Sequence, residues 1–114
     1  MNVVLEKLKQ WDCDIEGALE RFLDDEEMYM DFLNVTSEDE NLDKLVKSVD
    51  EGNAKDAFDY AHTLKGVYGN MGLTPLYQLT IDIVEPLRNE NMDGIKEKCQ
   101  ELVGKNEELK ALLK

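Results

Sequence analysis

Residues 53–72 read NAKDAFDYAHTLKGVYGNMG, and the way this stretch is read decides the fold. At about 100° per residue, Ala54, Ala57, Ala61, Leu64, Tyr68 and Met71 fall on one side. An amphipathic helix buries such a stripe, so this side is the expected core face. Asn53, with Asp56 three residues on, resembles a capping box in which Asp replaces the usual Glu. The single histidine of the chain, His62, points away from the apolar stripe towards solvent. Its neighbours on the helix surface are Phe58, Lys65, Gly66 and Gly69.

Two of those neighbours are glycines inside a helix, where each costs about 0.5–1 kcal/mol relative to alanine. Both stand on the histidine's side. Missing side chains at 66 and 69 would let another protein's surface approach the imidazole. Lys65 adds a positive charge within one helical turn. A neutral ring nitrogen has the lone pair that attack on phosphorus requires. A phosphoryl group carried there would gain from the lysine.

Beyond Gly72, Thr74-Pro75 predicts a cap beside a first-turn proline. A helix follows with Leu76, Leu79, Ile83 and Leu87 on one stripe, and Pro86 is expected to kink or end it. Asn89, Asn91 and Gly94 mark its last turn. A final helix carries Ile95, Cys99, Leu102, Leu109 and Leu113. Towards the N-terminus, Gly52-Asn53 closes a helix with Leu42, Leu45, Val46 and Val49 at helical spacing. Met28, Phe32 and Val35 keep the same spacing further upstream, behind Asp24 or Asp25 as a cap. The polar run TSEDEN, residues 36–41, lies between these two groups. We read one long helix passing through it, in preference to a break capped by Thr36 or Ser37. Asp14 is expected to cap a short helix with Ile15, Leu19, Phe22 and Leu23 on one side. Residues 3–10 form another short piece that must dock to persist. Trp11 is expected to pack.

These readings give an all-α chain: an up-down antiparallel four-helix bundle with a short N-terminal helical extension. Only 2 Pro and 7 Gly in 114 residues leave long uninterrupted helical stretches. The length predicts one domain over residues 1–114.

The net charge of −13 would repel DNA, RNA and acidic membrane surfaces, so neither nucleic acid nor membrane is an expected partner. The N-terminal run MNVVLEKLKQWD is interrupted by charge too early for a signal segment, and no run reaches the length of a membrane span. A cytoplasmic location with Cys13 and Cys99 reduced is therefore expected. Neither cysteine has a CxxC partner. A lone histidine without clustered ligands makes a metal site the weakest candidate. No phosphate-cradling glycine pattern is present.

The run AHTLKGVYGNMG, residues 61–72, closely resembles the signature of histidine phosphotransfer domains. In that family a phosphorylatable histidine is followed by Lys three residues on, Gly four on and Gly ten on. The matching positions are His62, Lys65, Gly66 and Gly72. The upstream run IEGALERFLDDEEMYMDFL, residues 15–33, also resembles the N-terminal part of the family, and the likeness extends from about residue 14 to the end.

The resemblance implies a helical bundle with the histidine exposed in mid-helix. It also implies a phosphoryl carrier that takes the group from a receiver-domain aspartate and passes it to another. Response-regulator receivers and a hybrid sensor histidine kinase are the implied partners. The carrier itself binds no ATP and has no kinase activity; Mg²⁺ comes with the receiver. A monomer is expected. One departure concerns the next helix, where many relatives place a Gln or Glu facing the histidine, about twenty-two positions on. Here that residue is Val84, with Glu85 one step beyond. Arg88, one turn further, is a candidate contact to a phosphoryl group or partner, with Pro86 able to reorient it. Competing readings are an inert acidic interaction module and the phosphorylated domain of a larger histidine kinase.

Overall fold

The computed structural model describes residues 2–114. Among them there are seven helices and no strand: α1 (Val3–Gln10), α2 (Ile15–Arg21), α3 (Glu26–Ser37), α4 (Glu40–Asp50), α5 (Ala54–Asn70), α6 (Thr74–Arg88) and α7 (Ile95–Leu112). The last four close a ring. Helix α4 packs on α5, α5 on α6, α6 on α7, and α7 returns to α4. Each connection within the ring spans only a few residues, so successive helices run antiparallel. Helix α3 lies against α7, and α1 and α2 complete the N-terminal layer.

Each helix of the ring turns one stripe inwards. Ala57, Ala61, Leu64 and Tyr68 of α5 are fully buried, as are Leu76 and Ile83 of α6 and Ile95, Leu102 and Leu109 of α7. These are the residues that helical periodicity selects. Val84 of α6 is fully buried as well.

Residues 36–41 do not continue a helix. Helix α3 stops at Ser37, and α4 starts at Glu40 with Asp39 as its cap, the Asp39 carboxylate accepting from the Asn41 N–H at 2.8 Å. The expected long helix is thus two, and the cap is neither Thr36 nor Ser37. Those two residues are buried, their hydroxyls donating to the carbonyls of Phe32 and Asn34. From α7, the Asn106 side-chain amide donates to the Ser37 carbonyl at 2.9 Å. This bond satisfies a terminal carbonyl of α3 from across the fold, where a continuing helix would use its own backbone.

The inward face of α3 also differs from expectation. Met28, Phe32 and Val35 are exposed, whereas Tyr29 and Leu33 are fully buried. The helix carries apolar residues on two adjacent stripes, and the core takes the one containing the tyrosine. Its hydroxyl donates to the Met71 carbonyl at 2.6 Å. Helix α2 ends at Arg21, and Leu23 stands 90% exposed at φ +55° in the following turn. The cap of α3 is Asp25 rather than Asp24.

One expectation for α6 is revised. Its cap position is Leu73, without a side-chain hydrogen bond, and Thr74 is already helical. Pro86 sits inside the last turn, and the helix runs on to Arg88. A proline at 86 has no N–H for the carbonyl of Asp82 one turn back. Lys98 of α7 reaches that oxygen with its Nζ at 3.4 Å, so the freed acceptor has a donor from the neighbouring helix.

Candidate functional site

Helix α5 begins where Asn53 accepts from the Asp56 N–H at 3.1 Å; its own side-chain amide donates to the Asp56 carboxylate at 2.8 Å. The helix then runs unbroken for 17 residues. Its far end is held from the N-terminal layer. Arg21 donates to the carbonyls of Asn70 at 2.9 Å and Gly69 at 3.1 Å, and Tyr29 to that of Met71. The final carbonyls of a helix have no partner within it, so these donors from α2 and α3 fix the end of α5.

His62 lies exposed near the middle of this rigid segment. It borders a shallow depression of about 190 Å³, lined also by Lys65, Gly66, Gly69, Asn70 and Tyr77. Lys65 is half-buried and forms no ion pair among the described residues. Its charge is therefore available to an anion bound at the imidazole.

The two helix glycines do different things. A Cβ on Gly66 would meet no atom within 4 Å, so this position leaves open space beside the histidine. A Cβ on Gly69 would lie 3.1 Å from the ring of Tyr77. Gly69 lets α6 pack its tyrosine onto α5, and that ring then forms a wall of the depression. Clearance for an approaching surface belongs to Gly66, while Gly69 serves packing.

Arg88 does not line the depression. Its guanidinium lies over the Phe58 ring, 5.3 Å from the centroid, and its Nε is 3.5 Å from the Glu85 carboxylate. Phe58 in turn lies beside the imidazole, with ring centroids 5.7 Å apart and a tilt of 33°. Among the described residues no side chain hydrogen-bonds to His62, in keeping with the buried valine at position 84.

Asn70 falls within the run 61–72 and could have been found from it. Tyr77 and Arg21 carry no local signal, because each reaches the site from another helix. Among the described residues, no group of three or more His, Cys, Asp or Glu is arranged to hold a metal ion, and no helix is long and apolar enough to cross a membrane.

This arrangement defines a class: a helical bundle displaying one histidine on a solvent-facing helix beside an unpaired lysine. The model of the Hpt domain family matches residues 17–113, nearly the whole chain, and the chain belongs to that family. Hpt domains are phosphocarrier modules of phosphorelays that work with receiver domains and kinases. No curated protein and no solved structure matches the chain.

Proposed function

We propose that His62 accepts a phosphoryl group from the aspartyl phosphate of one response-regulator receiver and gives it to the aspartate of another, in a relay fed by a hybrid sensor histidine kinase. The observation that carries this reading is an exposed histidine in mid-helix, on the family's motif, beside the open position of Gly66. A ring-nitrogen lone pair forms the N–P bond as the O–P bond to the aspartyl oxygen breaks, returning a carboxylate. The reverse displacement passes the group on. Such transfer is mostly positioning and charge neutralisation. The receiver brings Mg²⁺ and its acidic pocket, and this chain brings the nucleophile and Lys65. The chain acts as a monomer without kinase activity of its own.

The docking surface extends from the depression across Arg21 to the exposed apolar side chains of Leu23, Met28 and Phe32. Arg21 bonds to two residues that line the depression. Its neighbour Phe22 makes a tilted ring contact with Phe32, centroids 5.3 Å apart. These exposed apolar side chains are ones a docked receiver would cover.

The test is transfer of label. The chain with ATP alone should stay unlabelled. With a phosphorylated receiver and Mg²⁺ the label should move to this chain as an acid-labile, alkali-stable phosphate, and then to a second receiver. His62→Gln removes the nucleophile while keeping a polar side chain. Labelling of that variant, or no labelling of the natural chain across a panel of receivers, would replace this reading with an inert interaction module.

A further inference from the structure

We propose that Phe58 is the positioning residue of His62, its ring fixing the imidazole orientation that, among the described residues, no side-chain hydrogen bond fixes. The inference rests on the phosphotransfer reading for its purpose, though not for its geometry.

An exposed side chain on a helix samples its staggered wells. For histidine on a helix these are mainly two χ1 wells, each with a broad, roughly two-fold χ2. Phosphoryl transfer needs the attacking nitrogen in line with the bond that breaks, so an unheld ring spends much of its time misdirected. A carboxylate or amide on α6 could hold it, but Val84 occupies that position and is fully buried. The ring must be held by a contact of another kind.

Phe58 supplies it. Helical side chains lean towards the N-terminus, so the residue at 62 lies down onto the residue at 58. The observed separation of 5.7 Å and tilt of 33° fall within the range of attractive aromatic pairs. Phe58 is itself restrained. It is half-buried and packs on the core, and Arg88 from α6 lies over its ring at 5.3 Å. Arg88 is paired with Glu85 at 3.5 Å. The chain of contacts Glu85–Arg88–Phe58–His62 therefore couples α6 to the imidazole without a hydrogen bond to either ring nitrogen. Both nitrogens stay free, one for the phosphoryl group and the other for a donor or acceptor on the receiver. Arg88 thus acts on the histidine through Phe58.

The experiment uses the full chain with Phe58→Leu, Phe58→Tyr and Arg88→Gln. Three-bond couplings report the χ1 population of His62 in the free protein. Two rates are measured: labelling by a phosphorylated receiver with Mg²⁺, and phosphorylation by phosphoramidate, a small donor that needs no docked geometry. The natural chain should show one dominant χ1 well. In Phe58→Leu the couplings should average and receiver labelling should fall by about two- to fourfold, the number of wells released. The phosphoramidate rate should hold. Phe58→Tyr, which keeps the ring, should restore both couplings and receiver labelling. Arg88→Gln leaves the core untouched and should broaden the couplings, so the proposal is decided even if Phe58→Leu does not fold. An averaged His62 in the natural chain, a single well in either Phe58→Leu or Arg88→Gln, or no rescue by Phe58→Tyr would overturn it. If no receiver labels the natural chain, the phosphotransfer reading fails, while the couplings still decide the role of Phe58.

Discussion

The Asp14 N–H donates to the Gly72 carbonyl at 2.8 Å, and this bond locks the start of α2 against the turn between α5 and α6. Gly72 has φ +69°, and a Cβ there would overlap the Asp14 carbonyl oxygen and come within 3.0 Å of the Ala18 Cβ. The last glycine of the signature is therefore a packing requirement, ten residues from the chemistry.

Gly72→Ala should accordingly destabilise the fold. The left-handed conformation costs a non-glycine residue about 1–2 kcal/mol, and overlap with backbone atoms adds to it. A total of about 2 kcal/mol or more corresponds to a fall in Tm of about 8 °C or more for a chain of this size. A thermal melt checks this, and an unchanged Tm would show that the turn can move away from α2.

Gly66 and Gly69 should separate under the same substitution. Gly66→Leu enters open space and improves helix propensity by somewhat under about 1 kcal/mol, so stability should hold or rise while transfer from a receiver slows. Gly69→Leu must displace the Tyr77 ring and should lower Tm. Thermal melts of both variants, set beside labelling rates, check this. Wild-type transfer by a stable Gly66→Leu variant would remove the clearance argument.

The difference between these glycines also shows what was legible in the sequence. Helices α5, α6 and α7 each have a single apolar stripe between clear stop signals, and periodicity placed them. His62, Lys65 and Gly66 share one helix, so spacing alone brought them together. Tyr77, Arg21 and the Arg88–Phe58 contact depend on how separate helices dock, and no local pattern encodes that. The same limit explains residues 22–41. Helix α3 is apolar on two stripes, so its own sequence cannot choose between Tyr29 and Phe32 as the buried one. The break after Ser37 is satisfied by Asn106, 69 residues away.

Lys65→Ala should slow labelling of His62 without abolishing it. The lysine is only half-buried, so water and salt screen its attraction for phosphoryl oxygens. A loss of at most about tenfold, equivalent to about 1.4 kcal/mol, is expected. Raising the ionic strength should narrow the gap between the variant and the natural chain. Complete loss of labelling with an intact fold would assign Lys65 a larger role than charge.

Phe32→Glu should weaken docking of a receiver by about fivefold, a single contact residue at a partly exposed position being worth on the order of 1 kcal/mol. The side chain is half exposed, so the fold should survive. Phosphorylation of His62 by phosphoramidate should be unchanged, because that donor does not dock. Equal receiver affinity in the variant would confine the docking surface to α5 and α6.

The two thiols should make the fold alkali-sensitive. Burial pushes the Cys13 thiol from its ordinary 9.0 up to about 12, assisted by the Asp12 carboxylate, and the Cys99 thiol up to about 11. Above pH 9 the unfolded chain releases these protons while the folded chain retains them. The unfolded state then binds fewer protons, so stability falls as pH rises. The contribution is fully present below pH 9 and is lost progressively as pH climbs towards 11–12. Burial also raises Tyr29 and Tyr68 above their ordinary value of 10.0, and they join the loss chiefly above pH 10. Between pH 9 and 10 the thiols dominate the loss, each contributing about 1 kcal/mol across it, with a smaller share from the two tyrosines. Urea midpoints at pH 9 and 10 should fall in the natural chain and fall less in a Cys13→Ala/Cys99→Ala variant. At pH 8 both thiols should resist alkylation until urea unfolds the bundle, since the thiolate is the reactive form and both side chains are buried. Equal slopes in the two proteins, or rapid alkylation of the folded chain, would show that the cysteines are not held in the core as described.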